Sequence, residues 1–332
     1  MNINSIIESL RSKHFPAILW LEGEEDYFID EITNFAESSV LSAAEAEFNV
    51  TVFYGRDADW ASVVNACRRY PMFAERQVVI LKEAQAMKDI ELLESYVASP
   101  LATTLFVVAY KGKTIDKRGK LSKTLKLKAT NFLSNKIRED KLGEWINGLV
   151  ASKGLQIKPR AAQLIQNHIG NDLNRINNEI DKLALNLGDT KEISEDSIEK
   201  YIGISKEYNV FELQAAISAK NLTKALTIIN YIEQNPKAVP IQLALPALYA
   251  HFSKVHAAFS LGSTSDERLQ TIFYNYGALK QCKESMKNYG LTGIEKIILL
   301  LHHYNLKNIG INDSRTSPSD LLKEMIFKMM MQ

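Results

Sequence analysis

The chain has 332 residues, of which 46% are hydrophobic and 24% are charged. This length and composition are those of a globular protein with two or three domains, and they exclude a disordered or low-complexity chain. The 40 basic and 39 acidic residues give a formal net charge of +1, which excludes a polybasic protein that coats nucleic acid.

The two cysteines, Cys67 and Cys282, lie far apart and form no C-x-x-C pair. This spacing excludes a four-cysteine zinc module and suits a reducing compartment. Residues 1–13 form an amphipathic segment without the apolar core of a signal peptide. No apolar run approaches the roughly 20 residues that a membrane span requires. We therefore expect a cytoplasmic protein that makes no contact with a membrane.

The first 140 residues alternate strand-like and helix-like segments. Short apolar or β-branched runs predict five strands, at residues 17–21, 48–54, 78–81, 104–110 and 131–133. Helical periodicity separates them, at residues 26–38, 59–67 and 90–97. Strands that are separated by helices predict a parallel sheet covered on both faces.

From about residue 141 onward, the sequence predicts helices and no strands. Helical periodicity covers residues 141–153, 159–167, 173–187, 194–202, 291–309 and 321–331. The predicted fold class is therefore α/β plus all-α, in three domains. These are an α/β domain (1–140), a small helical domain (141–207) and a helical C-terminal domain (208–332).

An α/β domain followed by a small helical domain suggests an ATPase core, whose phosphate loop reads G-x-x-x-x-G-K-[ST]. After the first strand, this chain instead has Glu-Gly-Glu-Glu-Asp at residues 22–26, with no lysine and four carboxylates. Acidic side chains at a helix start complement the helix dipole and repel the phosphates of a nucleotide. The sequence therefore predicts a self-capped helix start and no bound ATP.

Other sites of ATPase or metal chemistry are also incomplete. Gly112-Lys113-Thr114 matches only the end of a phosphate loop, because Val107 stands where the earlier glycine belongs. The third strand is followed by Lys82-Glu83 in place of the Asp-Glu pair that would hold magnesium. None of the six histidines has a partner at a recognisable catalytic or metal-ligating spacing. We expect no catalytic residue, no metal and no cofactor.

The segment Tyr70–Gln77, with the sequence YPMFAERQ, connects a helix to the third strand. In one interpretation, Met72 and Phe73 plug the interface between helix and sheet, because most Met and Phe side chains are buried. In the other, they form an exposed hydrophobic wedge for a pocket of a partner protein. Residue types alone favour the buried interpretation.

Residues 111–128 contain eight basic residues and one acid, Asp116. Such a run is either a solvated face or a surface that contacts the phosphates of DNA, and the sequence leaves both open. No aromatic residue interrupts it, so base stacking is not expected. The candidate phosphate contacts are Lys113, Lys117, Arg118, Lys120 and Lys123.

Several segments resemble, in the same order, motifs of the bacterial clamp-loader delta subunits of DNA polymerase III. They are LEGEEDYFIDE (21–31), YPMFAERQVVILK (70–82), IDKRGKLSKTLK (115–126), IGNDLNRINNEIDKLAL (169–185) and IGISKEYNVFEL (202–213). Their joint occurrence is far more specific than any single motif.

The resemblance implies a degenerate AAA+-like domain that binds no ATP, a lid-type helical domain and a helical collar domain. It implies that Met72 and Phe73 enter the hydrophobic pocket of the sliding clamp, the beta subunit, and favour the open ring. The collar would assemble with the gamma/tau and delta-prime subunits, and primed DNA would pass through the assembled loader. The chain would have no catalysis of its own and would serve a nucleotidyltransferase holoenzyme in DNA replication.

Three alternatives are compatible with parts of the sequence. An ATP-binding clamp-loader subunit or another AAA+ ATPase is opposed by the missing lysine and Asp-Glu pair. A delta-prime subunit commonly carries a cysteine-liganded zinc module, which is absent here. The third alternative is an unrelated α/β interaction protein.

Overall fold

The computed structural model describes residues 3–188, 190–205, 207–235, 240–262, 264–273, 276–311 and 315–332. The chain divides into two compact units, Met1–Arg138 and Glu139–Gln332. The finer division into three domains stays a prediction, and Lys206 in the predicted junction lies outside the described residues.

The first unit is α/β. In chain order its elements are α1 (Ile3–Arg11), β1 (Ile18–Gly23), α2 (Asp26–Ser39), α3 (Ala43–Asn49), β2 (Val50–Tyr54), α4 (Trp60–Cys67), β3 (Gln77–Lys82), α5 (Glu94–Val97), β4 (Thr104–Lys111), α6 (Lys120–Lys128) and β5 (Thr130–Ser134). Two short 3-10 helices, Ala84–Ala86 and Ile90–Leu93, lie between β3 and α5.

The five strands form one parallel sheet in the order β2-β3-β4-β1-β5. Alternate side chains of β1 point to opposite faces, so Trp20 packs with α4, α5 and α6 while Leu21 packs with α1 and α2. Both faces are therefore covered, which explains why the central strands are continuous apolar runs. The predicted parallel sheet with helices on both faces is confirmed.

The start of the second strand was predicted too early. Phe48 and Asn49 end α3, and β2 begins at Val50. The helix starts with a capping box, in which the Ser42 Oγ accepts the Glu45 N–H and the Glu45 carboxylate accepts the Ser42 N–H. This local signal overrides the strand preference of the aromatic residue at position 48.

The second unit is mainly helical. Its elements are α7 (Glu139–Ser152), β6 (Gln156–Ile157), α8 (Pro159–Ile169), α9 (Leu173–Asn186), β7 (Glu192–Ile193), α10 (Glu195–Ile202), α11 (Val210–Ser218), α12 (Leu222–Gln234), α13 (Ile241–Phe259), α14 (Asp266–Leu269), α15 (Tyr276–Asn308) and α16 (Pro318–Met330). Gly290 interrupts α15 with a φ of 61° and a ψ of 179°. None of the helices in the described part of the chain combines the length and apolarity of a membrane span.

The expectation that strands end before residue 141 is wrong. Strands β6 and β7 form a small parallel pair, with Ile157 opposite Ile193. Each strand has only two residues, so neither shows the alternation by which a sequence reveals a strand.

Candidate functional site

The loop of residues 70–76, called the 70–76 loop below, connects α4 to β3 at the surface of the first unit. Met72 is 54% exposed and Phe73 is 97% exposed. Tyr70, at the start of the loop, is 76% exposed. The interpretation in which Met72 and Phe73 plug the interface of helix and sheet is therefore wrong. The loop instead presents three large apolar side chains to solvent.

The backbone of the loop is held by a buried amide side chain. Asn49, the last residue of α3, is 3% exposed. Its Oδ1 accepts a hydrogen bond from the Met72 N–H at 2.7 Å, and its Nδ2 donates to the Met72 carbonyl at 2.9 Å. Nδ2 also donates to the Glu45 carbonyl at 2.9 Å, which fixes the amide against its own helix. Both backbone polar groups of one loop residue are thus bound by a single side chain.

The far end of the loop is fixed by Gln77, the first residue of β3. Its Nε2 donates to the Arg69 carbonyl at 2.6 Å and to the Thr104 Oγ1 at 2.9 Å. Arg76 donates from Nη1 to the Ala102 carbonyl at 2.8 Å, and its guanidinium lies 5.3 Å from the centre of the Phe15 ring. These contacts anchor both ends of the loop to the α/β core.

Phe73 has a backbone φ of 54°. A bulky residue is rare in this left-handed region, and such a conformation costs on the order of 1–3 kcal/mol unless the surroundings impose it. Strain of this kind is concentrated at binding and catalytic sites. The positive φ and the exposed ring of Phe73 together indicate that its neighbours hold this residue in an intrinsically unfavourable conformation.

The turn between β1 and α2 occupies the place of a phosphate loop, but its amide groups are already used. The Gly23 N–H donates to the Lys113 carbonyl at 3.2 Å. The N–H groups of Glu24 and Glu25 both donate to the carbonyl of Ser134, at 2.8 and 3.3 Å. A phosphate cradle needs such amides to be free, so this turn closes on protein where a nucleotide would bind.

Two of the four acidic residues of this turn, Glu22 and Glu25, have structural partners. The Glu22 carboxylate accepts hydrogen bonds from the Trp20 Nε1 and the Ile115 N–H, both at 3.0 Å. Glu25 is the N-cap of α2 and accepts from the Tyr27 N–H. The predicted self-capped helix start is confirmed.

The carboxylate after β3 is also engaged. The Lys111 Nζ, at the end of β4, lies 3.0 Å from the Glu83 carboxylate and 2.6 Å from that of Asp30. Lys82 pairs with Glu37 at 2.5 Å. Among the described residues, no cluster of three or more His, Cys, Asp or Glu side chains could hold a metal ion.

The five candidate phosphate contacts lie on the loop after β4 and on α6, and all are exposed. Two of them already face a carboxylate. Arg118 pairs with Asp116 at 2.9 Å, and Lys120 pairs with Glu94 at 2.9 Å. The Lys113 Nζ lies 5.7 Å from the centre of the Tyr110 ring. Lys117 and Lys123 form no ion pair with any described residue, which makes them the most available cations of the five.

Sequence reasoning did not identify Asn49 as a part of the site. The capping box at Ser42 and Glu45 could have indicated the helix that ends there. No sequence signal, however, connects Asn49 to Met72, because 23 residues separate them and their contact arises only in the folded chain.

Comparison with known proteins shows which proteins carry similar features. Residues 19–133 match the family model described as DNA polymerase III, delta subunit. The subunit delta of DNA polymerase III from Bacillus subtilis is 26% identical over 245 residues, which cover 70% of this chain and 71% of that protein.

Comparison with solved structures concerns the fold. The structure of the Bacillus subtilis DNA clamp loader delta protein (YqeN) superimposes with a TM-score of 0.63 at 21% identity, covering 100% of both chains. A Thermotoga maritima RuvB structure gives a TM-score of only 0.36 at 15% identity, over 65% of this chain and 73% of that one. The matched residues 19–133 include the turn after β1, the 70–76 loop and the basic run, and this part of the chain is similar to the delta subunits of DNA polymerase III.

Proposed function

We propose that this chain is the clamp-loader subunit that binds the sliding clamp through Met72 and Phe73 and favours the open state of the ring. The observation that carries the proposal is the pair of exposed apolar side chains on a loop that is braced at both ends. Anchors of this kind contribute most of the binding energy when they enter a desolvated pocket of a partner. A braced loop also loses little conformational entropy on binding.

The energy for loading comes from nucleotide bound elsewhere in the assembly. In this proposal the chain itself binds no ATP and has no catalysis, because Lys113 and Ser134 take up the amide groups of the turn after β1. Its role is mechanical: it presents a surface that has a higher affinity for one state of the clamp, which shifts the population toward that state. The helical second unit would join the gamma/tau and delta-prime subunits, and the protein would act in the cytoplasm.

The test is the double variant Met72→Ala/Phe73→Ala, titrated against the sliding clamp of the same organism. Each lost anchor is expected to cost on the order of 2 kcal/mol, so that the pair weakens binding by at least about a hundredfold. Because both side chains are exposed, the melting temperature should remain within a few degrees of that of the wild type.

The matched control is Leu92→Ala/Leu127→Ala, which removes two exposed apolar side chains of the same unit outside the loop. Clamp affinity should be unchanged in this control. An unaltered affinity of the Met72→Ala/Phe73→Ala variant would refute the wedge, whereas an early loss of helical circular dichroism would show that the two side chains support the fold.

A further inference from the structure

The amide of Asn49 binds both backbone polar groups of Met72, one residue before the most exposed side chain of the loop. The side chain is buried, and Asn49 ends α3 directly before β2 begins at Val50. Three hydrogen bonds to backbone groups hold the side-chain amide in one orientation. Asn49 therefore links the end of α3 to the backbone of the 70–76 loop.

We propose that Asn49 is a positioning residue that holds the 70–76 loop in its binding conformation. This inference rests on the proposed function, since it assumes that Met72 and Phe73 contact the clamp. Asn49 itself would not touch the partner. It fixes the two peptide units that flank the Met72 Cα, and the second of these keeps Phe73 at a φ of 54° with its ring in solvent.

The physical reason is the cost of the Phe73 conformation. Without the brace, a bulky residue returns to the negative φ regions, which are lower in energy. The binding-competent loop would then be a minor state, and the apparent dissociation constant rises in inverse proportion to its population. A population of about one tenth raises the dissociation constant about tenfold.

The experiment measures clamp affinity for Asn49→Ala alone and within the Met72→Ala/Phe73→Ala background. A positioning role predicts about tenfold weaker binding of the single variant. It predicts no further loss in the background variant, because the anchors that Asn49 positions are already absent. So that binding stays strong enough to measure, Asn49→Ala is also tested in the background of Phe73→Ala alone. The inference fails if Asn49→Ala lowers clamp affinity by the same factor in the wild type and in these variants.

Asn131→Ala is the matched control. Its Nδ2 also donates to two backbone carbonyls, those of Leu125 and Ala129, but it lies on β5, at the opposite edge of the sheet from β2. Because Asn131 is exposed, its removal should lower stability by less than Asn49→Ala does, and it should leave clamp affinity unchanged. If Asn131→Ala weakened clamp binding as much as Asn49→Ala, the effect would be one of general stability and the inference would fail.

Asn49→Asp keeps the test decisive if Asn49→Ala does not fold. The ionised aspartate still accepts from the Met72 N–H, but it repels the Met72 carbonyl. Protonation restores one donor. Burial and the facing Met72 carbonyl should raise the pKa of this carboxyl well above that of an ordinary aspartate. The ratio of its clamp affinity to that of the wild type should therefore rise as the pH falls from 8 to 5, and a constant ratio would contradict the inference. If Met72→Ala/Phe73→Ala binds normally, the proposed function itself fails; if only the Asn49 variants bind normally, this inference alone fails.

Discussion

Gly23 and Ser134 approach each other so closely that no side chain fits between them. A Cβ on Gly23 would lie 2.0 Å from the carbonyl oxygen of Ser134. That carbonyl accepts the N–H groups of Glu24 and Glu25, and the Ser134 hydroxyl donates to the Glu25 carbonyl at 2.6 Å. The end of β5 thus fills the turn that follows β1, in the place where a phosphate loop would receive a nucleotide.

Substitution of Gly23 should disrupt this turn. Gly23→Ala forces the backbone of β5 away and requires a non-glycine residue at a φ of 137°, so we expect a loss of more than about 2 kcal/mol in the free energy of unfolding. Gly112→Ala is the control, because its φ of 73° is also positive but nothing lies within 4 Å of an added Cβ. It should cost about 1 kcal/mol. Urea unfolding of both variants measures the difference, and equal losses would contradict the steric explanation.

The closed turn also predicts the absence of nucleotide binding. Isothermal titration of the isolated chain with ATP and magnesium should give no saturable heat, because the amides of Gly23, Glu24 and Glu25 already donate to carbonyl groups. An ATP-binding subunit of the loader, measured in the same buffer, provides the positive control. Binding at micromolar ATP would show that the turn opens, and would favour the alternative of an active AAA+ subunit.

The buried His251 should make stability depend on pH. It is buried in the second unit, where its Nε2 lies 3.2 Å from the Ser218 hydroxyl and 3.4 Å from that of Ser285. Burial, with a smaller contribution from Lys254, lowers the pKa of His251 from its ordinary 6.5 to about 3. The unfolded state therefore binds a proton between pH 6.5 and pH 3 that the folded state does not bind.

His251 should consequently lower stability as the pH falls below about 6.5, by up to about 1.4 kcal/mol per pH unit. His251→Gln removes this contribution, so the difference in unfolding free energy between wild type and variant should shrink from pH 7 to pH 5. His302→Gln, at an exposed histidine, should leave the pH dependence unchanged. Parallel curves for wild type and His251→Gln would rule out this assignment.

The basic run should contact DNA only in the assembled loader. Lys117 and Lys123 are the strongest candidates, because Arg118 and Lys120 already face carboxylates. Lys117→Gln/Lys123→Gln should reduce the log–log salt slope of DNA affinity by about two units, without a change in sequence preference. The measurement needs the complete loader with clamp and primed DNA.

The control for this measurement is Lys141→Gln, an exposed lysine on α7 that pairs with Glu144 at 3.1 Å. It should leave the slope unchanged. If the slope also stays the same in Lys117→Gln/Lys123→Gln with assembly intact, the run is a solvated face or pairs with a neighbouring subunit.

The fold class, the missing phosphate loop and the position of the 70–76 loop between α4 and β3 could all be predicted from the sequence alone. Each of these follows from residues that are near one another in the chain, such as the apolar run of β1 or the acids of residues 22–26. The sequence could not supply the order of the strands, and it missed the two-residue pair of β6 and β7.

The exposure of Met72 and Phe73, in contrast, could be established only from the folded chain. Residue types favour burial, and exposure depends on neighbours in space that the chain brings together from distant positions. Asn49 holds the loop from 23 residues away, and Ser134 fills the turn of Glu25 from 109 residues away. A hydrogen bond from a side chain to a distant backbone carbonyl leaves no periodic pattern in the sequence, and any residue type can supply the carbonyl. Such contacts therefore become visible only once the chain has folded.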